Sequence, residues 1–161
     1  MVELDTFTDV LNYPMYLVTA SAAGEQAGCL VGFASQCSIH PVRYVVWLSK
    51  ANRTYRVARQ ATHLGVHLVR REDEALAALF GGETGDRVDK FDRVGWQPRD
   101  GGTPVLDDAW AWFVGRVLDR FEGGDHEGFL LTPVTESPRP SGRPPLLCLT
   151  DVVHLSPGHP A

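Results

Sequence analysis

The apolar residues of this chain come in short runs of strand length, each closed by glycine, proline or small polar residues. Residues 15–20 and 27–33 flank a polar connection, 21–26, that contains Gly24, and this pattern predicts a β-hairpin. Residues 44–48 (YVVWL) are β-branched and aromatic and begin after Pro41, which predicts a third strand, with 65–69 as a fourth. Further strands are expected over 109–119, where weak alternation suggests cover on both faces, and over 129–134. Chains cut into pieces this short bury apolar surface by pairing strands rather than by bundling helices.

Three short helices fit between these strands. Asn52 caps one over 52–62, with Tyr55, Val57 and Ala58 in its early turns. A second spans 72–80, carries Ala75, Leu76, Leu79 and Phe80, and stops at Gly81-Gly82. The third, 84–91 (TGDRVDKF), has a threonine cap and early acidic residues. Residues 99–103 read as a loop. The segment 133–145 holds five prolines and is expected as an exposed loop before a last strand from 146 to 155, within a C-terminal strand and tail over 146–161. With 161 residues, 43% of them hydrophobic, and no repeat or linker, the chain is expected to form one domain. Glycine (16) and proline (11) are frequent enough for many turns but too few for low complexity. The expected fold is mainly β, a small closed or nearly closed antiparallel barrel with a few short inserted helices.

A net charge of −5 offers no basic field for nucleic acid, so that partner is not expected. No apolar run reaches the roughly 18 residues of a membrane span, and the N-terminus is acidic where a secretory leader is basic. Cys29, Cys37 and Cys148 are odd in number and lack CxxC spacing, which points to reduced thiols and an intracellular, cytoplasmic protein. His40, His63, His67, His154 and His159 show no paired-ligand spacing, so no metal site is expected. Ser35 and Ser38 lack the GxSxG elbow of a hydrolase.

Four motifs carry chemistry. In GCLVGFASQCSIHP (28–41), Gly32, Ala34, Ser35 and Ser38 are small enough for a flat ring to approach the backbone; the alternative is a strand end crowded by the barrel. SKANRT (49–54) follows a strand and opens a helix, and Ser49, Lys50, Asn52, Arg53 and Thr54 suit an anion, or else simply cap the helix. In DRVDKF (86–91), Lys90 can balance a negative group, or the charges are a solvated face. GDH (124–126) places Asp125 and His126 after a glycine turn.

In this order and spacing, and with the opening YPMYLVT, these segments resemble the flavin reductase-like family from about Tyr13 to Val134. The resemblance implies an FMN-binding split barrel, antiparallel and Greek-key-like, that forms a homodimer. It further implies an oxidoreductase in which FMN, or FAD, accepts a hydride from NADH or NADPH and passes electrons to free flavin or another small acceptor, with a monooxygenase as a further partner. By the same resemblance, Gly32, Phe33, Ala34, Ser35, Gln36, Cys37 and Ser38 lie along the flavin ring, and Ser49, Lys50, Asn52, Arg53 and Thr54 hold its phosphate. Lys90 and Phe91 flank the cofactor, and His126 acts beside the ring as the catalytic side chain. Two other classes stay open: a non-catalytic FMN carrier, and a split barrel using another cofactor such as deazaflavin, haem or pyridoxal phosphate. His67 stands where the family commonly has asparagine, and the opening lacks the usual glycine; both mark a divergent branch.

Overall fold

A computed structural model describes residues 1–82 and 89–155. A four-residue helix, α1 (Asp5–Thr8), leads into the hairpin of β1 (Tyr16–Ala22) and β2 (Glu25–Val31). The connection is tighter than expected. Only Ala23 and Gly24 separate the strands, both at positive φ (51° and 79°), which is the backbone that matches a two-residue turn to the twist of its strands.

The chain then departs from the sequence reading. Residues expected as a strand end and turn form a strand of their own, β3 (Ala34–Ile39), paired antiparallel with β4 (Val42–Ser49). Its register shifts between Gln36 and Ser38, a bulge that leaves Cys37 without a partner. After β4, Asn52 caps α2 (Arg53–Ala58) by accepting the Thr54 N–H at 2.9 Å, as its residue type predicts. β5 (His63–Leu68) and α3 (Glu74–Gly82) fall where expected, although Gly81 and Gly82 lie inside the helix rather than ending it. A methyl group on Gly81 would meet Leu30 at 2.8 Å, so this glycine serves close packing on β2.

Of the third expected helix, 84–88 lies outside the described residues. Lys90–Asp92 form one 3-10 turn, capped by Asp89. The expected loop at 99–103 is the tip of a small hairpin between β6 (Trp96–Arg99) and β7 (Thr103–Leu106). β8 (Ala111–Glu122) and β9 (His126–Glu136) form a long hairpin with two register shifts. Pro133 therefore lies within a strand, opposite Gly115 beside one of those shifts, where a missing N–H is tolerated. Residues 137–145 are irregular, as expected. The expected strand from 146 to 155 is instead two single bridges, Arg70 to Leu146 and Pro14 to Cys148, followed by the short helix α4 (Leu149–Val152). Asp151 decides this by accepting the Cys148 N–H at 2.8 Å, a cap that turns the chain out of the sheet.

The seven long strands form one antiparallel sheet in the order β2-β1-β5-β8-β9-β4-β3. It curls until β2 nears β4, and α2 packs on β1, β2 and β4 at the seam. The barrel is thus closed by a helix rather than by hydrogen bonds. Val18, Ala20, Cys29, Val46, Leu48, Leu64, Val66, Phe129 and Leu131 fill its interior. On the outside, Leu17 joins Leu76, Phe80, Phe91, Leu106 and Leu147 in a second cluster, so β1 is covered on both faces. Among the described residues no helix is long and apolar enough to cross a membrane.

Candidate active site

Strand alternation sets one corner of the molecule. Val46 and Leu48 point into the barrel, so Trp47 and Ser49 point out of it. Ser49 pairs with His126 across β4 and β9, and the Trp47 N–H donates to the Phe33 carbonyl at 2.9 Å between β2 and β3. The Phe33 and His126 rings consequently meet at 5.1 Å between centroids, with Tyr13 at 6.3 Å on the other side of Phe33. Phe33 is 52% exposed, which is unusual for a phenylalanine and leaves its ring open to a ligand.

His126 is oriented. Its Nδ1 lies 2.7 Å from the Asp125 carboxylate, which fixes the proton on that nitrogen and leaves Nε2 for another partner. The His126 imidazole, by hydrogen bond first and charge second, holds the Asp125 carboxyl below the usual range. The turn that carries both is tied down from below. The Lys50 N–H donates to the Asp125 carbonyl at 2.9 Å, and Gly123 bonds back to His126 at 3.1 Å. The Trp47 indole lies against Gly123 and Gly128, where a methyl group would meet it at 2.6 and 2.8 Å.

The SKANRT loop wraps the same corner. The Ser49 carbonyl accepts the Asn52 N–H at 3.0 Å, and the Ser49 hydroxyl accepts that of Ala51. The Lys50 ammonium pairs with Glu122 at the end of β8 and so stands over the loop. That contact lowers the Glu122 pKa and raises that of Lys50. Arg53 reaches away toward the β1–β2 turn, donating to the Gln26 carbonyl at 3.0 Å and pairing with Glu25 at 3.3 Å. Thr54 is 1% exposed; its side chain turns inward to the Cys29 thiol, which burial pushes up to about 11.

On β3, Ser35, Gln36 and Cys37 are exposed and Ser38 is half-buried, its hydroxyl donating to the Pro41 carbonyl. β3 is the last strand of the sheet, so the backbone groups on its outer side carry no strand partner. Gly32 precedes it under Tyr13, with no room for a side chain. Ala34 lies half-buried opposite Val46.

The structure therefore brings Gly32, Phe33, Ser49, Lys50, Asn52 and His126 around one corner, from which β3 runs away along β4, with Gln36 opposite Tyr44 and Ser38 opposite Arg43. It does not bring Lys90 and Phe91 there. The Lys90 ammonium is buried, donating to the carbonyls of Phe80 (2.9 Å) and Gly28 (3.3 Å), and Phe91 packs edge-on against Phe80 and Trp96. His67 is also remote from the corner. It is fully buried, with Nδ1 on the Leu17 carbonyl (2.9 Å) and Nε2 accepting the Leu106 N–H (3.1 Å). Sequence reasoning missed Tyr13, Trp47 and Glu122. The glycines at 123 and 128 around the GDH turn were a usable signal for Trp47, since both lie under its ring.

A curled antiparallel sheet left open at a helix-filled seam, with an aromatic and imidazole corner beside a free edge strand of small residues, defines a split-barrel protein. The chain belongs to the flavin reductase-like family, whose model, "Flavin reductase like domain", matches residues 8–153. It is 28% identical over 124 residues to the FMN reductase (NADH) RutF of Agrobacterium fabrum (strain C58 / ATCC 33970), covering 77% of this chain and 71% of that protein. It is 29% identical over 128 residues to the reductase component of a 4-nitrophenol 4-monooxygenase/4-nitrocatechol 2-monooxygenase from Rhodococcus opacus, covering 80% of this chain and 66% of that protein. In fold it is similar to the Streptomyces globisporus C-1027 NADH:FAD oxidoreductase SgcE6, with a TM-score of 0.79 at 20% identity over 92% of this chain and 90% of that one.

Proposed function

We propose that this chain is an NADH- or NADPH-dependent flavin reductase that binds FMN, with FAD as the other flavin it accepts, at the corner of β3, β4 and β9. The observation that carries the reading is the meeting of Phe33, His126 and Ser49 beside the free edge of β3. The residues present fit a flavin. Exposed small and polar side chains at Ser35, Gln36 and Cys37, between half-buried Ala34 and Ser38, let a planar ring system lie on the strand edge, where unpaired N–H and C=O groups match its polar rim. Ser49, Lys50 and Asn52 lie where a phosphate ester can reach a hydroxyl, a cation and loop N–H groups. Arg53 and Thr54 support this loop through Glu25 and Cys29.

Bound flavin supplies the hydride chemistry; the chain supplies position, hydrogen bonds and exclusion of water. Phe33 forms an apolar wall beside that position. His126, held by Asp125 through Nδ1, turns Nε2 toward the open side, where it orients the nicotinamide carboxamide or supports charge on the ring edge. The test is anaerobic bleaching of FMN by NADH or NADPH, followed by steady-state turnover of His126→Ala. FMN that bleaches in the wild type and turns over at least roughly tenfold more slowly in the variant, with similar FMN affinity, supports the reading. FMN that binds tightly and bleaches with neither dinucleotide identifies a carrier instead.

We read residues 1–161 as one such domain, working as a cytoplasmic homodimer. Val45 and Trp47 on β4 and Leu130 on β9 face outward together with exposed Phe121 (41%) and Leu118 (39%). An apolar sheet face of this kind is what a second copy covers. Sedimentation velocity, with Leu118→Lys as the comparison, tests this. Cys37, exposed as a free thiol on β3, suits a reducing compartment. A separate monooxygenase is the proposed consumer of reduced flavin, by analogy with the Rhodococcus opacus reductase component.

A further inference from the structure

A second cavity lies at the other end of β8 and β9. β9 begins at His126 in the candidate active site and ends at Glu136 on the rim of this cavity, ten residues and about 33 Å away along an extended strand. The cavity holds about 370 Å³, within the usual range of roughly 300–1,000 Å³ for small-molecule sites. Tyr44 on its wall is the strand partner of Gln36, so the cavity adjoins the edge proposed for the flavin ring, but none of its features rests on that reading.

Its inner wall is aromatic. The Tyr16 and Tyr44 rings meet edge-on at 6.1 Å, and Tyr44 and Phe113 do so at 5.4 Å. Tyr44 donates to the Tyr16 hydroxyl at 2.7 Å. Two hydroxyls joined by one bond leave one O–H proton with no acceptor among the described residues. Burial, and then the neighbouring Tyr16 hydroxyl, hold Tyr44 well above the usual phenol range, so it remains a neutral donor.

The rim is fixed and charged. Ser137 exchanges two hydrogen bonds with the Trp112 backbone, at 2.8 and 3.1 Å, which pins the segment leading to Arg139. Arg139 lines the opening and makes no hydrogen bond or ion pair with any described residue. Glu136 stands on the same rim. The cavity thus offers aromatic walls, a spare O–H donor and an uncommitted guanidinium. Donors of this kind call for an anionic acceptor, and the aromatic walls call for a ring. A free phosphate or sugar acid would leave those walls unused.

We propose that this cavity binds a small aromatic carboxylate, with its ring against Tyr16, Tyr44 and Phe113 and its carboxylate between Arg139 and the spare tyrosine hydroxyl. Glu136 opposes that charge and limits the affinity. The probe is benzoate, with benzyl alcohol as the uncharged control, titrated calorimetrically into the full chain with and without FMN. The expected result is saturable one-to-one binding of benzoate and not of benzyl alcohol, unaffected by FMN. Binding should weaken roughly tenfold in Arg139→Gln, as expected for loss of a charge-assisted bond. It should weaken less in Tyr16→Phe and tighten in Glu136→Gln. Circular dichroism confirms that each variant is folded. No saturation through millimolar benzoate, equal binding by Arg139→Gln, or displacement by FMN would each overturn the proposal.

Discussion

His67 gives this fold a pH limit that can be worked from the structure. The ring is fully buried and bridges two backbone groups, donating from Nδ1 to Leu17 on β1 and accepting at Nε2 from Leu106 on β7. A proton added at Nε2 would face the Leu106 N–H, and burial lowers the pKa from 6.5 to about 4. The unfolded chain therefore binds this proton more readily than the native one. The associated stability is fully present above pH 6.5 and declines as the pH falls from 6.5 toward 4. At about 1.4 kcal/mol for each unit of pKa difference, the whole loss is about 3 kcal/mol, of which about 2 kcal/mol has gone by pH 5. The assay is urea unfolding at pH 7.5 and pH 5.0, at one protein concentration, for the wild type and His67→Gln. Glutamine retains a donor and an acceptor but does not titrate. The wild type should lose about 2 kcal/mol more than the variant between the two pH values. Equal losses would refute the reasoning, whatever the absolute stability of His67→Gln, because carboxylates elsewhere titrate in both proteins.

Two further substitutions probe packing and the phosphate loop. Gly28→Ala places a methyl group 2.8 Å from the Phe80 ring. Phe80 cannot retreat because Phe91 and the Lys90 ammonium lie against it. The variant should lose about 1–3 kcal/mol in urea unfolding, and an unchanged midpoint would show that this wall is softer than its packing implies. Glu122→Gln releases Lys50 from its ion pair. On the proposed function it should tighten FMN binding by roughly twofold to fivefold in fluorescence titration at low salt. Weaker binding would mean that Glu122 positions Lys50 rather than competes for it.

Strands with β-branched and aromatic residues were legible because they alternate or are apolar throughout. YVVWL and the runs beside Gly24 lie where their composition puts them. β3 was not legible, because Ala34 to Ser38 has neither alternation nor β-branching; the strand exists because β4 offers it an edge. The C-terminal segment failed for the opposite reason. LLCLTDVV is apolar enough for a strand, yet Leu147 and Val152 bury equally well with a capped helical turn between them. At the site, the small residues before β3 and a histidine in a glycine turn were legible as candidates, and the structure brings Phe33 and His126 together. What the sequence could not show is burial. Lys90 reads as a surface charge or a ligand, and only the position of Phe80 and Gly28 turns its ammonium inward.

Burial sorts the polar residues of this chain by task. Thr54, His67 and Lys90 are all hidden, and each bonds a carbonyl, an amide or a thiol that belongs to the wall of β1, β2 and β5 or to the layer above it. That wall is fastened from both faces. β3 at the far end of the sheet is held by β4 alone and exposes Ile39, Ser35 and Cys37. A free backbone edge and an apolar outer face are features that isolated proteins avoid. On the proposed function both are satisfied at once, the edge by the flavin ring and the face by a second copy. Since β4 and β9 contribute to each, flavin binding and dimerisation act on the same two strands. FMN should then shift the monomer–dimer equilibrium toward dimer, and dimerisation should raise the affinity for FMN by the same factor.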